Sequence, residues 1–176
     1  LNADVEGNAQ LRMENNSIYD LEVQNNGGSL INDSVAVAGF PAAEPFPSLR
    51  LAPNEGNAFT IDVSALNDLG GALDPADELD IFTWDTQVDF YNNGEYLSDL
   101  GAGTGDVVGA MVESSDGSVN TLGASVTYVI NPDFSGRVYV TGLAAAGAVG
   151  AGPEPASLAL AAIALMGVAA LRRSRC

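Results

Sequence analysis

The densest chemistry in the sequence is a run of carboxylates, Asp74, Asp77, Glu78 and Asp80, within the stretch DPADELD. Four hard oxygen donors from one loop suit Ca²⁺, which takes about six to eight oxygens at ~2.3–2.6 Å. The order lacks the D-x-[DN]-x-[DN]-G pattern and distant Glu of an EF-hand. The plainer alternative is a solvated acidic turn that caps a short helix. Asp85 and Asp89, on the outward side of the next apolar run, could add to a surface cation patch. Tyr91 and Tyr96 flank an NNG turn and are candidates for exposed stacking.

The missing residue types exclude more than the present ones suggest. There is no histidine, and all six basic residues are arginine. This excludes a histidine general base, histidine metal ligands, a Schiff-base lysine and a P-loop lysine. A serine nucleophile would have no histidine partner, and G-x-S-x-G does not occur. The single cysteine is the last residue, Cys176, so no disulfide framework and no thiolate metal site forms within the chain. Paired carboxylates hydrolyse glycosides at separations of about 5–5.5 Å or ~6.5–9.5 Å. With 23 acidic residues some pair will always meet such a distance. A small carboxylate glycoside hydrolase is therefore the least supported alternative. The glycine-rich stretch GAGTGDVVG at 101–109 lacks a following helix and a lysine, and reads as a loop. Two Asn-x-Ser triplets begin at Asn15 and Asn32 and carry little weight if the source is bacterial.

The charge is divided unevenly over the 176 residues, whose net charge is −17. Residues 1–150 hold 22 acids against three bases, Arg12, Arg50 and Arg137, a net of −19. Beyond them lie only Glu154 and three arginines, Arg172, Arg173 and Arg175. So acidic a body repels phosphate backbones, which excludes nucleic acid as a partner. It suits divalent cations, neutral polysaccharide, basic proteins or simply solvent, and the bias would serve solubility in a saline habitat.

The elements that must position these residues read as short strands. Period-2 alternation sets Tyr19, Leu21 and Val23 against Asp20, Glu22 and Gln24, and Phe59, Ile61 and Val63 against Thr60, Asp62 and Ser64. The clearest run is 80–91, with Phe82, Trp84, Val88 and Phe90 on one face. Val126, Tyr128 and Ile130 share a face, as do Val138 and Val140. Turns fall at NNGG 25–28, NNG 92–94, DG 116–117 and NPD 131–133. Only 63–80 could hold a short helix, and Gly70, Gly71 and Pro75 interrupt it. The pattern predicts an all-β body, an antiparallel β-sandwich of about seven to nine strands, jelly-roll-like or Ig-like. No internal repeat points to a solenoid.

The composition changes after residue 142. Residues 143–152, LAAAGAVGAG, read as an Ala/Gly linker. Pro153, Glu154 and Pro155 follow, then the uncharged apolar run 156–171, then the cluster Arg172, Arg173 and Arg175. Sixteen apolar residues reach ~24 Å as a helix, a minimal span for a hydrocarbon core of ~30 Å. The terminal arginines would stay cytoplasmic and leave the body outside. The expected organisation is a body at 1–142, a linker at 143–152 and a tail at 153–176 with one short transmembrane helix.

The order Pro-Glu-Pro, apolar helix, arginine cluster over 153–175 resembles the PEP-CTERM sorting tail of Gram-negative bacteria. The resemblance implies export, temporary inner-membrane anchoring and processing by an exosortase that recognises Pro153, Glu154 and Pro155. It also implies a final place at the cell surface or in an extracellular matrix of biofilm and exopolysaccharide. An exported protein needs a signal peptide, and the sequence starting at Leu1 shows none, so a fragment or a chain without its leader is expected. The resemblance covers the tail alone. For the body, the expected role is non-enzymatic, structural or adhesive. The alternative is a calcium-dependent carbohydrate-binding module. No cofactor other than calcium is expected.

Overall fold

The computed structural model describes residues 10–37, 48–52, 56–97 and 101–146. These all belong to one compact unit, Leu1–Ala146. Every regular element among them is a strand. In chain order they are β1 (Gln10–Met13), β2 (Ile18–Asn26), β3 (Ser29–Asn32), β4 (Val35–Ala36) and β5 (Ser48–Leu51). Then come β6 (Phe59–Ala65), β7 (Leu79–Trp84), β8 (Asp89–Asn92), β9 (Glu95–Tyr96) and β10 (Gly103–Asp106). The last are β11 (Ala110–Glu113), β12 (Val119–Asn120), β13 (Ser125–Ile130), β14 (Gly136–Thr141) and β15 (Ala144–Ala145).

They form sheets ordered β1-β5-β8-β9, β10-β13-β14-β7-β4 and β11-β6-β2-β3, with β12 and β15 paired separately. The sheets are mixed, which corrects the antiparallel expectation. β13–β14–β7 and the two hairpins are antiparallel, but β1–β5, β5–β8, β2–β6, β6–β11 and β4–β7 are parallel. Alternation along a strand shows which face is buried. It carries no information about the direction of the neighbour, because the side-chain period is 2 in both pairings.

The alternating faces themselves lie as expected. Leu21, Val23, Phe59, Ile61 and Val63 are buried, and Asp20, Glu22 and Gln24 are exposed. One cluster gathers the buried residues of all the sheets, including Leu49, Leu51, Ile81, Phe82, Phe90, Val138 and Val140. Each such large side chain contributes about 1.5–3 kcal/mol when fully buried. Trp84, Val88 and Phe90 also enter this core, although 80–91 is not the single strand its alternation suggests. It divides into β7 and β8, which join different sheets. The polar Asp85, Thr86 and Gln87 make the turn, and the alternation runs through it because Val88 is buried too.

The turns mostly follow their residue types. β2–β3 turns on Gly27 and Gly28, and β8–β9 on Asn93 and Gly94. All four have positive φ (63°, 94°, 50° and 81°), as a two-residue hairpin twisted with its strands requires. No helix forms at 63–80. Those residues finish β6, run through turns and enter β7. The glycine-rich stretch at 101–109 contains β10, not only loop, and lies against β13. Leu143 and Ala145, in the stretch expected as linker, are buried, and Ala145 lies opposite Val119. The apolar run 156–171 lies outside the described residues. Among the described residues no helix is long and apolar enough to cross a membrane.

Asparagine side chains tie the sheets together where backbone ladders end. Buried Asn92 donates to the Asp106 carbonyl (3.0 Å) and accepts from the Val108 amide (3.1 Å), joining β8 to β10. Asn32 donates to the Asp80 carbonyl (2.6 Å), joining β3 to β7. Asn15 accepts from the Ala58 amide (2.8 Å). The two Asn-x-Ser triplets thus place their asparagines in structural hydrogen bonds.

Gly136 allows the tightest approach in the core. A Cβ there would overlap Trp84 Cζ2 and approach the Val129 carbonyl oxygen to 2.5 Å. The indole lies flat across this position and donates from Nε1 to the Phe134 carbonyl (3.0 Å). Gly136→Ala should therefore destabilise the body by about 1–3 kcal/mol, the usual cost of overpacking. Urea unfolding followed by Trp84 fluorescence will measure it.

Tyr19 gives a second handle. Its ring meets Phe82 edge-on at 5.3 Å between centroids. Burial, and then the nearby Asp33 charge, push its phenol up from 10.0 to about 12. The unfolded chain releases this proton near 10, so the contribution is complete below that pH and is lost as pH rises toward about 12. Stability should fall over that window, and Tyr19→Phe should flatten the fall. Urea midpoints measured across the window for both proteins will test this.

Candidate functional sites

The four carboxylates of the 74–80 stretch separate into two pairs with different partners. Asp74 and Asp77 close a turn on each other. Asp77 Oδ2 accepts from the Asp74 amide (2.7 Å), Asp74 Oδ1 accepts from the Ala76 amide (2.9 Å), and the Asp77 amide donates to the Asp74 carbonyl (2.9 Å). Glu78 and Asp80 instead face Arg137 on β14. Asp80 Oδ1 lies 3.1 Å from Nη1, and Glu78 Oε2 pairs with Nη2. Among the described residues no three acidic, histidine or cysteine side chains gather as a metal-holding group. The run therefore caps a turn and anchors an arginine, and the turn leads to a strand where a short helix was expected.

Arg137 is the residue that sequence reasoning missed. Its guanidinium also stacks on Tyr139, 4.4 Å from the ring centroid. Partial burial works against its charge, but the hydrogen bonds it donates to Glu78 and Asp80 prevail and hold its proton more tightly than usual. The scarcity of bases was the available signal. In a body with three bases, Arg137 is the one that gathers two carboxylates, Glu78 and Asp80.

Other carboxylates serve turns in the same way. Asp116 is held below the ordinary carboxylate range by the Ser118 amide and by the Ser118 and Ser114 hydroxyls. Asp133 is lowered by the Ser135 hydroxyl and amide. Asp62 accepts from both Ser115 Oγ (2.5 Å) and the Ser115 amide (2.8 Å), tying the turn after β11 to β6. Asp85 borders an open groove of about 320 Å³ with Ala36, Val37, Thr83 and Trp84. Asp89 accepts from the Tyr96 hydroxyl (2.9 Å).

The stacking candidates, Tyr91 and Tyr96, lie together. Their centroids are 4.9 Å apart, opposite one another across β8 and β9. The register extends this pair into a row across the whole sheet: Arg12, Arg50, Tyr91 and Tyr96 are successive cross-strand partners. Arg50 stacks over Tyr91 at 4.3 Å from the centroid, and Arg12 pairs with Glu14 at 2.6 Å. Two of the body's three bases thus sit side by side.

Taken alone, the described residues define an all-β domain rich in carboxylates, and among them no constellation names a reaction. The tail is more specific. Residues 153–174 match the family model of the PEP-CTERM protein-sorting motif. Pro153, Glu154, Pro155, Arg172 and Arg173 lie within the matched stretch and Arg175 just beyond it, all outside the described residues. The motif implies export, membrane-associated sorting and processing by an exosortase-type enzyme. Comparison with curated proteins and with solved structures gave no match.

The geometry at 74–80 makes a prediction about calcium. With these carboxylates already engaged, millimolar calcium should leave the melting temperature unchanged, since a ligand stabilises only by binding the folded state. A saturable rise would show that the loop rearranges around the ion. Arg137→Ala should cost about 1 kcal/mol, as its ion pairs are partly exposed. Chemical denaturation will read that loss.

Proposed function

We propose that this is an exported, non-enzymatic surface or matrix protein, displayed through a sorting tail that an exosortase processes. The match of residues 153–174 to the sorting motif carries this reading. In it, Pro153, Glu154 and Pro155 are the recognition site. The run 156–171 is a transient inner-membrane anchor, and Arg172, Arg173 and Arg175 hold its end in the cytoplasm. The mature body then works at the cell surface or in extracellular polysaccharide, as a structural or adhesive element of a biofilm matrix.

The chemistry of the body supports a non-catalytic role. It has no histidine, lysine or cysteine to act as base or nucleophile. Asp62, Asp74, Asp77, Asp116 and Asp133 brace turns, and Glu14, Glu78 and Asp80 pair with arginines. Its acidity suits a hydrated, cation-rich setting.

The test is the intact mass of the protein recovered from membrane and extracellular fractions of the native host. The expected extracellular species lacks the residues beyond about Pro153, and Glu154→Ala retains the full-length chain in the membrane. A full-length chain confined to the membrane in both cases would make 156–171 a permanent anchor and overturn the processing.

A further inference from the structure

We propose that the row Arg12, Arg50, Tyr91 and Tyr96 is a binding site for a carboxylated polysaccharide, a polymer of uronic acid sugars. The inference deepens the matrix reading above and rests on it for its biological setting. It begins with an imbalance. In residues 1–150, 22 acids surround three bases. Arg137 holds two carboxylates and Arg12 one. Arg50 pairs with none among the described residues, although acids far outnumber bases along the chain. Its Nε is covered and lacks a hydrogen-bond partner, so the protein does not use the full donor capacity of this guanidinium.

The placement of Arg50 adds to this. Like charges directly opposite each other on neighbouring strands are destabilising. Arg12 and Arg50 are such partners, about 4.8 Å apart in the strand-to-strand direction. Glu14 already offsets the charge of Arg12, and an anion seated between the two guanidinium groups would offset that of Arg50. A guanidinium stacked on an aromatic ring is pre-organised, and its planar fork matches a carboxylate. Tyr91 and Tyr96 continue the same face and offer aromatic rings to a sugar ring, the Tyr96 hydroxyl being already engaged in donating to Asp89. The row crosses the strands on a sheet face, so it offers no backbone ladder to an extended peptide. A saccharide carrying a carboxylate fits it better.

The body's net charge shapes how this site would behave. Repulsion of a polyanion by the −19 body acts at long range, and at physiological salt it is screened beyond ~8 Å. Contact pairing at the row is screened much less. Binding should therefore strengthen from low to physiological salt, opposite to a protein held by a broad basic surface.

The test uses the full 176-residue chain in neutral detergent, with alginate, dextran, dextran sulfate and polyglutamate as immobilised probes. Saturable binding to alginate is expected, with none to dextran. Arg50→Gln should weaken it at least tenfold, with a melting temperature close to that of the parent. Arg12→Gln, at a more exposed position, should weaken it too and serves if Arg50→Gln fails to fold. Absence of alginate binding, or unchanged affinity in a folded Arg50→Gln chain, overturns the site. Equal binding to dextran or dextran sulfate overturns its carboxylate selectivity, and a preference for polyglutamate overturns the glycan assignment. Because purified chain is used, failure here leaves tail processing untouched, and failure of processing in the host leaves this measurement untouched.

Discussion

The body depends on burying one shared apolar core with short strands alone. Among the described residues three sheets have four or five strands and a fourth has two, and many strands have four residues or fewer. A strand that short offers only one or two inward side chains, so no single sheet can bury its face by itself. The sole cysteine is terminal, which leaves the described body without a disulfide to brace it. Stability must then come from interlocking, as where Trp84 of β7 packs over Gly136 of β14 and Phe90 of β8 lies 5.6 Å from the same indole.

Short strands also leave many backbone groups at their ends, and buried groups of that kind must find partners. Asparagine and aspartate fill the need. Asn92, Asn32 and Asn15 reach across elements, and Asp33, Asp62, Asp116 and Asp133 hold turns. Much of the acidity that looks like a solvated surface thus organises loops. The same economy governs the bases. Arg137 draws Glu78 and Asp80 together, whereas Arg50 remains beside another arginine on an aromatic row.

The sorting tail and the body are different kinds of signal. The tail matches its motif as a linear string, so its order of proline, glutamate, apolar run and arginines is legible directly. The body's activity must reside in a surface assembled from several strands, and a fold by itself does not specify a function. Arg12, Arg50 and the Tyr91–Tyr96 hairpin are far apart in sequence and become neighbours only through parallel pairing of β1 with β5 and of β5 with β8.

What the residues determined by themselves were the local properties. Inward and outward faces at Leu21, Ile61, Phe82 and Val138 follow from period-2 alternation, which is a property of one strand. The hairpins at Gly27–Gly28 and Asn93–Gly94 follow from positive φ, a property of one residue. Tertiary structure decided everything that depends on a partner. It set parallel pairing against antiparallel, because both share the same alternation. It split 80–91 into strands of two sheets, because buried Val88 continues the pattern through a turn. It also gave Asp80 to Arg137, 57 residues away, rather than to Asp74 and Asp77 beside it. Charge density along a chain does not say which charges will meet, and that depends on which strands the core brings side by side.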